Sequence, residues 1–157
     1  MTDRDTQLMQ RAIALSQQAR DHGNHPFGSL LADADGNILL EAENTVNTER
    51  DATGHAETNL VRRATKQYDR DFLATCTLYA STEPCAMCSG AIYWSNIRQV
   101  VFGLSESSLI HMTGANSSNP TLTLPCREVF ARGQHAVKVV GPMMEEEAEQ
   151  PHAGFWD

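Results

Sequence analysis

Long apolar runs are missing from this 157-residue chain, although 41% of its residues are hydrophobic. A membrane-spanning helix is therefore not expected, and a soluble globular domain is. Positive charge is scarce as well. Twelve Lys and Arg stand against twenty Asp and Glu, a formal charge of −8. Proteins that hold nucleic acid through its phosphates usually carry a basic face. The one local concentration here, Arg62-Arg63 with Lys66, reads as a solvated helix face, so a nucleic-acid partner is disfavoured. Cysteine is limited to four residues, more in keeping with metal-bound or free thiols than with a disulfide framework. Cys76 and Cys126 have no partner at ligand spacing and are expected in the core. The opening Met1-Thr2-Asp3-Arg4-Asp5 lacks the basic and apolar regions of a signal peptide, which gives the expectation of a cytoplasmic protein. Repeats and convincing linkers are also missing, so residues 1–157 are expected to form one domain.

What is present is concentrated in two short stretches. Pro84-Cys85-Ala86-Met87-Cys88 offers two thiolates three apart, which share one face of a helix's first turn. A helix N-terminus favours negative charge and helps keep both sulfurs deprotonated, and Pro84 suits the helix entrance. Gly54-His55-Ala56-Glu57 precedes them by about thirty residues. The His55 imidazole makes three protein ligands, and three leave an open position on zinc, the arrangement of a catalytic rather than a structural site. Glu57 then stands two residues from a ligand, where it can shuttle the proton of a zinc-activated water whose pKa falls toward about 7. His55 and Glu57 can flank one metal only at a helix entrance, since i and i+2 diverge within a helix. A redox dithiol would not need His55 and Glu57, and a zinc ribbon would need a second cysteine pair that the chain lacks. Glu83 is the next nearest acid and is read as structural.

Taken in order, residues 6–21 carry an apolar helical stripe, with Thr6 or Asp5 as cap. His22 and His25, in the following loop, are expected to face solvent or bond to backbone. Ser29–Asp33 and Asn37–Glu43 read as a hairpin about Asp35-Gly36, and Asn44 ends it, either as a turn-former or as a functional residue. A polar loop, 45–53, leads to a helix that runs to about Tyr68 with Ala56, Leu60, Val61 and Ala64 buried. Thr75–Ser81 is a strand, 85–95 the cysteine helix, and Arg98–Gly103 a buried strand. Residues 104–125 lack clear periodicity and are expected to be a functional loop. A short helix at Cys126–Arg132, a strand at Ala136–Gly141 and an acidic helix at Met143–Gln150 follow. This order predicts an α/β fold, a five-stranded mixed sheet with helices on both faces. Right-handed crossovers then bring two helix N-termini, those of His55 and of the cysteines, to one edge of the sheet. The tail, 151–157, ends in Phe155-Trp156, costly to leave in water at about 25 cal/mol per Å² of apolar area.

The combination H-x-E with P-C-x-x-C is the signature of zinc deaminases. On His55-Ala56-Glu57 and Pro84-Cys85-Ala86-Met87-Cys88 the chain resembles the cytidine-deaminase-like superfamily over roughly residues 6–140. Pro26-Phe27-Gly28 and Asn44 extend the likeness, and Gly90-Ala91-Ile92-Tyr93-Trp94 is more similar to bacterial guanine deaminases than to the related tRNA adenosine deaminases. The resemblance implies a three-layer α/β/α fold, one Zn2+ on His55, Cys85 and Cys88, Glu57 as catalytic base and acid, and a homodimer. It implies substrate contacts at Asn44, Phe27, Ala56 and Trp94, and a tail whose Phe155 and Trp156 close over the base as a lid. Packing of those rings on a neighbouring surface is the alternative for the tail. The implied reaction is hydrolytic release of ammonia from a small nucleobase, nucleoside or related heterocycle; the alternative is a tRNA-specific adenosine deaminase. A non-enzymatic zinc protein would not need Glu57. If the base were guanine, Glu106 is a candidate acid for its N1–H and amino edge.

Overall fold

The computed structural model describes residues 2–114 and 116–157. Helix α1 (Asp3–Asp21) starts earlier than its apolar stripe, because Thr2 rather than Thr6 or Asp5 caps it. The Thr2 hydroxyl accepts from the Asp5 amide at 3.1 Å and the Asp5 carboxylate accepts from the Thr2 amide at 3.2 Å, a reciprocal capping box. Strands β1 (Gly28–Ala32) and β2 (Ile38–Glu43) form the expected antiparallel hairpin. β1 also pairs antiparallel with β3 (Thr77–Thr82), and β3, β4 (Gln99–Leu104) and β5 (Lys138–Val140) run parallel. The sheet order is β2-β1-β3-β4-β5, a five-stranded mixed sheet as predicted.

Strand alternation divides the interior in two. Leu31, Leu78, Ala80, Val100 and Phe102 face α3 (Ala56–Gln67), α5 (Ala86–Ser95) and α7 (Cys126–Ala131). Leu30, Ala32, Tyr79 and Val101 face α1, whose Leu8, Met9, Ala12 and Leu15 cover them. Cys76 and Cys126 are both buried on the first of these sides. The result is three layers, with α8 (Glu145–Glu149) joining α1: its Ala148 lies close to Gly103, where any β-carbon would strike Ser81 O.

Four segments depart from the sequence reading. Residues 104–125 begin with an eight-residue helix, α6 (Glu106–Thr113), capped by Ser105 and stopped at Gly114. Too short to show a period among so many serines, it is built by its cap rather than by an apolar stripe. Single helical turns also appear at α2 (Val46–Glu49), inside the polar loop, and at α4 (Arg70–Leu73), whose cap is Asp69. β5 is shorter than the run Ala136–Gly141. No helix among the described residues is long and apolar enough to cross a membrane.

β2, β3 and β4 share one direction, so their C-terminal ends lie along one edge of the sheet beside the start of β1. Asn44, Glu83 and Ser105 follow those three ends and Phe27 precedes the fourth. Ligand sites of open α/β sheets form outside the carboxyl ends of strands, which is where the chain places its chemistry.

Candidate active site

His55 is the N-cap of α3 and Cys85 the N-cap of α5, both in extended backbone conformation. Pro84 therefore stands one residue outside the helix rather than in its first turn. Cys88 lies on that first turn, three residues after Cys85, as the spacing requires. Gly54 lets the chain reach the His55 position: a β-carbon there would come within 2.9 Å of Thr45 Oγ1. Asn59 on α3 fastens the same loop, donating to Glu43 O at 3.0 Å and Thr45 Oγ1 at 2.9 Å.

His55 Nδ1 lies 3.5 Å from Cys85 Sγ and 3.6 Å from Cys88 Sγ. All three ligand atoms fall within 4.8 Å of one another. A tetrahedral zinc with N and S ligands at about 2.0 and 2.3 Å separates them by about 3.6 Å, which both histidine–cysteine distances match. Thr58, a residue the sequence reading did not single out, places its hydroxyl 3.1 Å from Cys88 Sγ and steadies that ligand from behind. The Cys85 thiol is drawn down to about 4, first by its hydrogen bond with Cys88 and then by His55, against the opposing effect of burial. The His55 imidazole is raised in turn, chiefly by Cys85.

Glu57 is 6% exposed and faces the same cavity. Burial pushes its carboxyl up to about 7, and the Cys85 thiolate adds to the rise. A group poised near neutrality can both take and return a proton.

The cavity beside these groups has a volume of about 390 Å³. Phe27, Asn44, His55, Glu57 and Cys85 line it, and so do His25, Glu83, Glu106 and Leu109. Residues Ser118–Leu122 close it from the loop after α6. His25 is buried here rather than solvent-facing, and burial lowers its pKa. Asn44 is 2% exposed; its Oδ1 accepts from the Val46 amide at 3.1 Å, which leaves the amide nitrogen as the group it can offer a ligand.

Four of the residues put forward as substrate contacts lie elsewhere. Trp94 is 76% exposed and does not line the cavity. Cys88 and Ile92, one turn apart, face inward, and a residue two beyond Ile92 points away from them. Tyr93 stacks on His135 instead, with ring centroids 4.2 Å apart. Ala56 is fully buried in the stripe it shares with Leu60 and Ala64. Phe155 and Trp156 do not reach the cavity surface. Trp156 packs behind it against His25 (5.2 Å) and Phe27 (6.2 Å), and Phe155 sits under Arg20. The tail is held there by Arg20, which donates to Pro151 O and Ala153 O, and by Asn116, which donates to Trp156 O.

Glu83 and Glu106 divide two roles. Glu83 is 8% exposed, and its two oxygens accept from the amides of Glu106 and Cys126, each at 2.9 Å. It thereby ties the starts of α6 and α7 to the end of β3, the structural part expected of it. Glu106 is 6% exposed, lines the cavity, and its carboxylate has no hydrogen-bond donor among the described residues. Burial, then Glu83 and Cys85, push it up to about 7.

The model of the cytidine and deoxycytidylate deaminase zinc-binding region matches residues 2–104. Over all 157 residues the chain is 47% identical to the probable cytosine deaminase of Schizosaccharomyces pombe, 95% of which is covered. It is 40% identical over 101 residues to the guanine deaminase of Bacillus subtilis, which is 64% of each chain. A solved tRNA:A34 deaminase superposes with a TM-score of 0.73 at 25% identity, over 93% of this chain and 99% of that one. The match from Thr2 to the end of β4 takes in every element that carries a metal ligand, and the chain therefore belongs to the zinc-dependent cytidine and deoxycytidylate deaminase family of hydrolases.

Proposed function

We propose that this enzyme hydrolyses the amino group of a small, uncharged nucleobase or nucleoside, with cytosine the first substrate to test. One observation carries the proposal: the cavity is lined by Glu57, Glu83 and Glu106 and, among the described residues, by no Lys or Arg. Away from the metal ligands, that wall offers a phosphate carboxyl groups and no Lys or Arg partner. This disfavours nucleotides, and it disfavours tRNA, whose target base is flanked by phosphates on both sides. The full-length likeness to the fission-yeast relative supports the same reading, since it includes the residues that close the cavity.

Zinc on His55, Cys85 and Cys88 supplies the positive charge that activates water. The chain's own part begins with Glu57, which takes a proton from water on its carboxylate and delivers it to a ring nitrogen; it then takes the second proton from the hydroxyl the ring has gained and passes it to the departing amino group. Water and the amino-substituted ring give a carbonyl and ammonia, so atoms balance and no redox partner is needed. Asn44 orients the base through its free amide nitrogen, Phe27 and His25 form an aromatic wall, and the 118–122 loop excludes bulk water. The tail supports that wall from behind.

An ammonia-release panel tests the reading, using cytosine, guanine, adenine, their nucleosides, CMP and an anticodon stem-loop RNA. Turnover of a base or nucleoside with little on CMP and the RNA is expected; preference for the RNA would establish the tRNA alternative. A cytoplasmic homodimer belongs to the same proposal, with the exposed Trp94 of α5 covered by a second copy. Sedimentation at micromolar concentration that shows one-chain species alone would reject the dimer.

A further inference from the structure

The mechanism leaves one buried group unused, the Glu106 carboxylate. It is held in place with care. Ser105 caps α6 through the Ser108 amide at 3.2 Å. Glu145, from α8, accepts from the Ser105 amide at 3.3 Å and from the Ser108 hydroxyl at 2.8 Å, and Glu83 accepts the Glu106 amide. These contacts fix the first turn of α6, and none reaches the Glu106 side chain. The residue is 6% exposed, and its carboxylate lines the cavity without a protein donor among the described residues. A carboxylate that faces a cavity with no protein donor is free to accept a hydrogen bond from a ligand there.

We propose that Glu106 is a specificity-determining residue that accepts the ring N–H of the substrate, so that the enzyme prefers a free base to its nucleoside. Asn44 offers a donor and Glu106 an acceptor within one cavity. Their complement is a heterocycle that carries a carbonyl and a ring N–H, the lactam pattern of free cytosine. Glycosylation or methylation at the ring nitrogen removes that N–H and leaves the carboxylate unsatisfied. Sites built to bond a donor reject analogues that lack it far better than apolar pockets reject a missing methylene. The proposal rests on the deaminase reading above, and it narrows that reading from base or nucleoside to free base.

The test compares cytosine with 1-methylcytosine and cytidine on the zinc-loaded protein. Turnover is measured with wild type, Glu106→Ala and Glu106→Gln. Binding is measured by calorimetry with the same substitutions placed in a Glu57→Gln background. Wild type is expected to favour cytosine in both assays. Glu106→Ala is expected to weaken cytosine binding about 10- to 100-fold while 1-methylcytosine changes little, so the preference collapses. Glu106→Gln, which keeps an acceptor oxygen, should retain an intermediate preference, a partial rescue that a merely structural role would not give. An unchanged preference in Glu106→Ala overturns the Glu106 assignment while wild-type turnover leaves the deaminase reading standing. Equal affinity of wild type for all three compounds overturns it as well. Neither binding nor turnover of any base in the panel removes both proposals.

Discussion

Replacing Trp156 by alanine asks whether the last residues are part of the folded domain. The ring is 6% exposed and meets Phe155 at 4.7 Å, His25 at 5.2 Å and Phe27 at 6.2 Å between centroids. Its Nε1 donates to His152 Nδ1 at 3.0 Å. A tryptophan buries about 150–250 Å². At about 25 cal/mol per Å² that is about 4–6 kcal/mol, an upper figure because the unfolded chain already buries part of it. Measured Trp→Ala losses in cores run about 3–5 kcal/mol, and the lost hydrogen bond adds about 1. Undocking limits the total, since the tail can leave once its anchor has gone. The expected loss is therefore about 3–4 kcal/mol, read as a fall in the urea midpoint at constant zinc. A loss below about 1 kcal/mol, the behaviour of a frayed end, would refute the docked tail. Activity separates two roles for the docked tail. If Trp156 supports the cavity wall, KM rises while zinc content stays constant; unchanged KM would make it a brace for stability alone.

Three further outcomes follow from the site. Cys85→Ala should lose stoichiometric zinc, measured by metal analysis, and retention of a full equivalent would contradict the ligand set. Glu57→Gln should keep its zinc and lose activity by about 10²–10⁴-fold, and near-wild-type turnover would assign the proton transfer to another residue. His152 should make stability depend on pH. Burial first, and then Arg20, hold its pKa down to about 4 from an ordinary 6.5. A depressed folded pKa means that the unfolded chain binds the proton more readily. The contribution of the neutral ring is thus complete above pH 6.5 and is lost as pH falls through 4, about 3 kcal/mol in all and about 2 by pH 5. Protonation also removes the acceptor that Trp156 uses. Urea midpoints at pH 7.5 and 5.0 should fall further in wild type than in His152→Gln, and equal falls would contradict the assignment.

The metal centre was legible because its geometry is local. Cys85 and Cys88 need only one helical turn between them, and His55 needs only a helix entrance, so spacing along the chain already specifies spacing in space. The sheet was legible for a similar reason, since the Asp35-Gly36 turn and the apolar runs of β3 and β4 declare themselves over a few residues. Glu106 was visible only as a candidate, because its placement depends on Ser105, Glu83 and Glu145, which come from three separate parts of the chain. Trp94 misled for the opposite reason. Its neighbours in sequence belong to the site's helix, but helical rotation, not proximity along the chain, decides which face a residue presents. His25 and Trp156 meet across more than 130 positions, a contact that composition at either end does not announce.

The family match stops at residue 104, so it takes in the metal-binding groups and leaves out part of the cavity wall. Before residue 104 lie His55, Cys85 and Cys88, which are placed to hold the metal, Glu57 beside them, and Phe27 and Asn44 on the cavity wall. After it lie Glu106, Leu109 and the 118–122 loop, which close the cavity, and the tail that stands behind its wall. The first group is fixed by the reaction, since an amino group on any such ring needs the same activated water and the same proton carrier. On the proposal above, Glu106 in the second group and Asn44 in the first meet what differs between one base and another. On that proposal, the zinc-deaminase chemistry is kept while a short helix and a loop adjust the choice of substrate. The signature H-x-E with P-C-x-x-C identifies the chemistry for this reason, and is silent about the base. Glu106→Ala and changes within 118–122 should thus alter relative rates among bases without loss of zinc, whereas changes at Glu57 should lower every rate together. A Glu106 or loop variant that lowers all rates equally would show that the two groups are not separable.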